Sequence, residues 1–249
     1  MTRLALIWDG RWLTWLPPGE GGKVGRREIV QADMIPEVLK ALRNQVGAGV
    51  QVVASEWGQP TTVVPAEMSP QGAENAWMND VHTMHHGAQA ASNQGCKGMV
   101  LEQLNELPVA IVCPSEDWTV ALNATFPQAR SIHWADVLVR DLVQWGREQP
   151  FQGWSLRVDV RKEGASMTAM VGERLQWVHR LEEGFQPEDA LYAMVNAIHR
   201  GEGEVGEARV LWSGNRALTN GWDRFLPVIQ PTPEPDGWIS VAQTLVSCG

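Results

Sequence analysis

Between Trp154 and Asn215 the chain reads WSLRVDV (154–160), RKEGA (161–165), SMTAMV (166–171), GE (172–173) and RLQWVHRL (174–181). PEDALYAMVNAIH (187–199) and ARVLWSGN (208–215) follow. Leu156 to Val160 alternates apolar and polar residues, as do Ser166 to Val171 and Arg174 to Leu181, and this period of two predicts three strands. Glu163-Gly164 and Gly172-Glu173 supply turns short enough for an antiparallel meander. Pro187 suits the first turn of a helix, and Glu188 and Asp189 favour its positive N-terminal end. Leu191, Met194, Val195 and Ile198 form the buried stripe of that helix. Arg209 to Trp212 returns as a strand, parallel to the first because a helix crosses between them.

A looser version of the same order opens the chain. Leu4–Trp8 and Arg11–Leu16 are apolar runs joined at Asp9-Gly10, a dipeptide that favours a tight hairpin. Arg27–Gln31 is expected as a third, edge strand. Asp33 is expected to cap a helix that buries Val38, Leu39 and Leu42 and ends at Gly47 and Gly49. Strands over Val50–Ser55 and Thr61–Val64, a helix over Glu74–Met84 and a buried strand over Leu107–Cys113 come next. Ser115 is the expected N-cap of a helix to about Ala124. A brief strand at Ser131–His133 and a strongly periodic helix over Ala135–Arg147 lead to the join at Glu148–Gly153. The chain is therefore read as two halves, 1–150 and 151–249. The tail from Pro227 to Pro235 reads as a proline-punctuated loop, and Trp238–Val246 as a last short element of the second half.

Composition narrows the function classes. A chain of 249 residues with 44% hydrophobic and 20% charged residues is long enough for a substantial core. The net charge of −9 argues against nucleic-acid binding, since phosphate contacts need a basic face and the densest cluster is only Lys23, Arg26 and Arg27. No apolar run approaches the roughly 18 residues of a membrane helix, and the N-terminus lacks the pattern of a secretory signal. Three widely spaced cysteines, Cys96, Cys113 and Cys248, fit a reducing cytoplasm better than a disulfide framework. Thirteen Trp against four Phe and one Tyr are expected mainly in the core, with an interface role for some as the alternative.

Several chemical motifs fail on physical grounds. His82, His85 and His86 share a helical face, with Cys96 about ten residues on. The pattern lacks a catalytic acid between the histidines, and the stretch from Gly87 to Gly98 reads as a small polar loop. A solvated helix end is the better reading, and no metal site is assigned. Gly201-Glu-Gly203-Glu-Val-Gly206 follows a helix and enters a strand, the reverse of a dinucleotide site, and its glutamates would repel a pyrophosphate. There is no G-x-S-x-G elbow and no P-loop lysine.

Three antiparallel strands, a crossover helix and a further strand, found twice, resemble the duplicated ribonuclease-H-like unit of the actin-like ATPases. FPQARSIHW (126–134), PEDALY (187–192), VLWSG (210–214) and, near Thr61–Met68, TTVVPAEM resemble an uncharacterised bacterial family of actin-like fold. The resemblance implies an α/β fold of two subdomains, each with a mixed sheet led by antiparallel strands plus helices. Pilus-assembly proteins are implied as distant relatives. It also implies an aspartate in the first hairpin of each half to manage Mg²⁺ and phosphates, beside small residues that let backbone amides approach. Asp9 and Asp159 match those aspartates. Gly10 keeps one small residue, but Arg11 and Trp12 stand where a second glycine and a hydroxyl residue are expected. Arg161, Lys162 and Glu163 crowd the second turn, and the adenosine glycine pair is reduced to Ser213-Gly214. The expectation is a non-enzymatic, cytoplasmic actin-like scaffold or protein-binding module with a degenerate nucleotide site, an unidentified protein partner and room for self-association. A Mg·ATP-dependent switch or ATPase using Asp9, Gly10, Asp159 and Gly214 is the alternative.

Overall fold

The computed structural model describes residues 3–19, 23–47, 49–68, 75–87, 95–233 and 238–248. Contacts divide the chain into two units. One comprises Met1–Met99, Val109–Trp134 and Val241–Gly249; the other comprises Val100–Pro108 and Ala135–Ser240.

In the first unit, β1 (Arg3–Trp8), β2 (Trp12–Leu16) and β3 (Gly25–Glu28) form an antiparallel meander. β4 (Gln51–Glu56) and β8 (Arg130–Ser131) extend it in parallel on the other side of β1, giving the order β3-β2-β1-β4-β8. Helices α1 (Ile35–Val46) and α3 (Glu116–Thr125) pack on the apolar face of this sheet. Leu4, Leu6 and Leu13 meet Val38, Leu39 and Leu42 of α1 and Leu122 of α3. Each such side chain, fully buried, contributes roughly 1.5–3 kcal/mol of transfer free energy. Ser115 caps α3 as expected, its hydroxyl accepting from the Trp118 amide at 3.4 Å. A second, three-stranded sheet has the order β5 (Thr62–Val64), β7 (Val109–Val112), β6 (Lys97–Val100), with α2 (Asn75–His86) against it.

The second unit repeats the order. β9 (Trp154–Arg161), β10 (Gly164–Val171) and β11 (Arg174–Leu181) are antiparallel, while β12 (Ala208–Gly214) and β13 (Val228–Pro231) run parallel to β9, giving β11-β10-β9-β12-β13. Both faces of this sheet are covered. Leu156, Val158 and Val160 of β9 pack toward α5 (Pro187–Arg200) with Ala190, Met194 and Ile198. The alternate residues Arg157, Asp159 and Arg161 point the other way. α4 (Trp134–Glu148) packs within this unit, and its Asp141 accepts a 2.7 Å ion pair from buried Arg157. The last helix, α6 (Ile239–Cys248), contacts the first unit from Val241 onward, where the Val246 carbonyl accepts from Arg3 at 2.9 Å.

Several local expectations are corrected. Asp33 does not cap α1: it lies in a short 3-10 turn (Ala32–Met34), and Met34 stands at the cap without a side-chain bond. Lys97–Val100 is a strand rather than loop, while 88–94 lie outside the described residues. Val228–Pro231 is an edge strand, a position where the missing proline amide costs no ladder bond; 234 and 235 lie outside the described residues. Nine of the thirteen Trp are buried, so most of the aromatic surplus fills the core.

Candidate functional site

Asp9 follows β1 in the first hairpin. Its Oδ1 accepts from the Arg11 amide at 3.0 Å and the Trp12 amide at 2.6 Å, so the carboxylate closes its own turn. Arg26 approaches Oδ2 at 3.4 Å, and its guanidinium lies 4.6 Å from the Trp12 ring centroid. Gly10 has a φ of 90°, and a Cβ built there would meet nothing within 4 Å. It serves the turn's conformation rather than a crowded approach.

Asp159, on β9, is 1% exposed. Arg161, two residues on and therefore on the same face of the strand, grips it with both arms of its guanidinium: Nε to Oδ2 at 2.7 Å and Nη2 to Oδ1 at 2.8 Å. Ser213 lies opposite Asp159 in the β9–β12 register and donates to Oδ1 at 2.6 Å. The outer face of the Arg161 guanidinium stacks 3.6 Å over the Trp238 ring. Gly214 is opposite Val160, with φ 102°, and a Cβ there would fall within 2.0 Å of the Val160 carbonyl oxygen. Sheet pairing therefore unites Asp159, Ser213 and Gly214 in the second unit, while Asp9 and Gly10 belong to the first.

One group at the same sheet edge as Asp9 escaped the sequence reading. Glu56 ends β4 in register with Trp8. Both its carboxylate oxygens accept from the Ser115 amide, at 3.0 and 3.2 Å. Burial still dominates and pushes the carboxyl up to about 7, against the opposing pull of that amide, Lys97 and Gln59. Glu56, Gln59, Lys97, Ser131 and His133 line a cavity of about 110 Å³. His133 is held down to about 3 by burial, and its Nε2 lies 3.0 Å from the Thr61 hydroxyl. An acidic residue closing the apolar run VVASE was the available signal for Glu56.

The histidine cluster also departs from expectation. His85 and His86 are exposed at the end of α2, but His82 is 1% exposed and faces the second sheet. Cys96 and Cys113 are brought together, with Cα atoms 4.1 Å apart and the two sulfurs in bonding contact. Spacing along the chain concealed that pairing. The G-x-G-x-x-G loop behaves as expected; the space beside Gly201 and Gly203 is filled by the Trp154 indole.

The two five-stranded sheets define an α/β protein of the actin-like ATPase fold, built from duplicated ribonuclease-H-like units. A protein of actin-like ATPase fold and unknown function from Bacteroides thetaiotaomicron superposes over 100% of this chain and 96% of its own, with a TM-score of 0.75 and 14% identity. The PilM–PilN type IV pilus biogenesis complex matches with a TM-score of 0.57 and 13% identity, over 97% of this chain and 90% of that one. The cytoplasmic domain of EpsL, an inner-membrane component of the type II secretion system of Vibrio cholerae, matches with a TM-score of 0.53 and 13% identity, over 100% and 96%. At these identities the likeness is one of fold. No family model matches the sequence, and no curated protein matches it either. No described helix is long and apolar enough to cross a membrane.

Proposed function

We propose that this protein is a non-enzymatic actin-like scaffold or protein-binding module, a pseudo-ATPase whose nucleotide site is degenerate. The observation that carries the reading is the Asp159 carboxylate, buried and bonded on both oxygens by Arg161, with Ser213 on one of them. A carboxylate that accepts Mg²⁺ or its waters needs open lone pairs, and releasing these would leave the Arg161 guanidinium buried without its partner. Asp9 spends Oδ1 on its own turn. At Gly214 the space that a small residue leaves is filled by the Val160 backbone of the same sheet. The residues as they stand do not fit Mg·ATP.

The repeats are taken as 1–150 and 151–249, and the compartment as cytoplasmic. An unidentified protein is the partner, in keeping with neighbours that are part of a pilus-biogenesis complex and of a secretion system. A homo-oligomer fits the same role, whereas the charge of −9 disfavours nucleic acid. The alternative is an ATP-binding switch or ATPase using Asp9, Gly10, Asp159 and Gly214.

Titration of the pure protein with Mg·ATP, read as melting temperature, tests the reading. No shift up to millimolar nucleotide is expected. An upward shift that Asp9→Ala and Asp159→Ala abolish would overturn it.

A further inference from the structure

We propose that His82, Cys96 and Cys113 form a binding site for a thiophilic divalent cation of the zinc class, held by two thiolates and one imidazole. The inference concerns the first unit alone and does not rest on the scaffold reading.

Three elements supply the donors. His82 projects from α2, Cys96 immediately precedes β6 and Cys113 immediately follows β7; β6 and β7 are neighbours in the second sheet. The His82 ring nitrogen and the two sulfurs all lie within 4.8 Å of one another. Tetrahedral zinc, with Zn–S bonds near 2.3 Å and Zn–N bonds near 2.1 Å, sets its ligand atoms roughly 3.5 Å apart, so once the bond between the two sulfurs is reduced, small rotamer changes bring the trio to that spacing. A soft donor set of this kind selects zinc-class ions over magnesium or calcium, which take oxygen.

The surroundings suit a metal in its charge and its order. Two thiolates cancel the charge of a dication, so the loaded site is neutral where it is buried. Val64, Met78, Val109 and Ile111 wall it with apolar side chains, while Cys113 is only half-buried and leaves a path from solvent. The His82 ring is itself buried, 1% exposed, against the second sheet. The Ile111 backbone hydrogen-bonds that ring, and the Thr62 hydroxyl lies 3.4 Å from Nδ1, partners of the type that orient a ligating imidazole. Asn79, also on α2, accepts from the Cys96 amide and ties that residue to the helix that carries His82. The His86 ring lies beside that of His82, tilted by 42° with centroids 4.6 Å apart, placing a second imidazole next to the trio.

From the bonded sulfurs of this structure, a phosphine or dithiol reductant first supplies two electrons and, with two protons from water, gives two thiols; metal entry then releases those thiol protons and changes no oxidation state. Closing the same sulfurs into a disulfide gives up two electrons to an oxidant and removes both ligands, so the two states exclude each other.

The test uses tag-free full-length protein purified under a phosphine reductant. We expect about one zinc per chain by elemental mass spectrometry after dialysis, and a thiolate-to-metal charge-transfer band on cobalt(II) addition. Cys96→Ser, Cys113→Ser and His82→Ala should each weaken zinc binding at least 100-fold in a chelator competition. Thr62→Val should weaken it about tenfold, as loss of an orienting partner does, and His85→Ala on the exposed side should leave it unchanged. Because the cobalt band is read on the unmodified protein, a variant that misfolds does not decide the matter. Fully reduced protein that retains no zinc and gives no band overturns the proposal. So does a Cys96–Cys113 disulfide that survives the reductant, or cysteine variants that bind as tightly as the parent.

Discussion

Asp159 and Arg161 are a buried pair, 1% and 10% exposed at their side chains, and their worth lies in being kept together. Removing either alone leaves an uncompensated charge, so Asp159→Ala and Arg161→Ala should each cost about 3–5 kcal/mol in urea denaturation. The double change Asp159→Leu with Arg161→Met should cost far less than the sum, because neither charge then remains. Additive losses would show that the pair does not act as a unit. Glu56 gives a second test, in pH. Its folded pKa of about 7 stands above the ordinary 4.5, so its contribution is full below about pH 4.5 and is lost as pH rises through 7. Between pH 5 and 8 the parent should lose roughly 2 kcal/mol more stability than Glu56→Gln. His82 and His133, lowered from 6.5, work in the opposite sense on falling pH and cancel in that comparison. Equal pH slopes for parent and variant would refute the Glu56 assignment. Asp159 was visible as a candidate in the sequence through the family resemblance, which implies an aspartate at that point of each half. It did not reveal the clamp, because Ser213 is far along the chain and a strand residue's cross-strand neighbour depends on register.

At the scale of elements, glycines 10 and 214 look equivalent in the sequence and are not. Both have positive φ, but only Gly214 is pressed against backbone, where β12 runs beside β9. Gly214→Ala should destabilise by more than about 3 kcal/mol, from a clash and a strained φ together. Gly10→Ala meets open space and should cost only about 1 kcal/mol. Thermal or urea unfolding of the two variants, without nucleotide, decides this, and similar costs would contradict it. The strands of the meanders and helix α5 were legible because alternation, short turns and the Pro187-Glu188-Asp189 start are local signals. β13 and β6 were not. A short edge strand has few alternating residues, and its identity rests on a partner remote in sequence. The first turn of α1 likewise escaped, since the 3-10 turn at Ala32–Met34 took the place where a capping Asp33 was expected.

For the whole molecule, the nucleotide prediction is one of magnitude. A ligand at 100 times its Kd adds about 2.7 kcal/mol, and for a chain of this size each kcal/mol moves the melting point by roughly 2–4 °C. A working Mg·ATP site should therefore raise it by about 5–10 °C at saturating nucleotide, against the absence of a shift expected here. The sequence by itself determined the duplicated order of strands and helices, because apolar periodicity and turn residues act over a few neighbours and recur along the chain. Tertiary structure alone decided what the marked residues touch. It turned Asp159 toward Arg161 and Ser213, set the Val160 backbone against Gly214, left Glu56 half-buried and brought Cys96 to Cys113 beside His82. Those encounters depend on sheet register and on packing between segments distant along the chain, and neither is written in the local pattern.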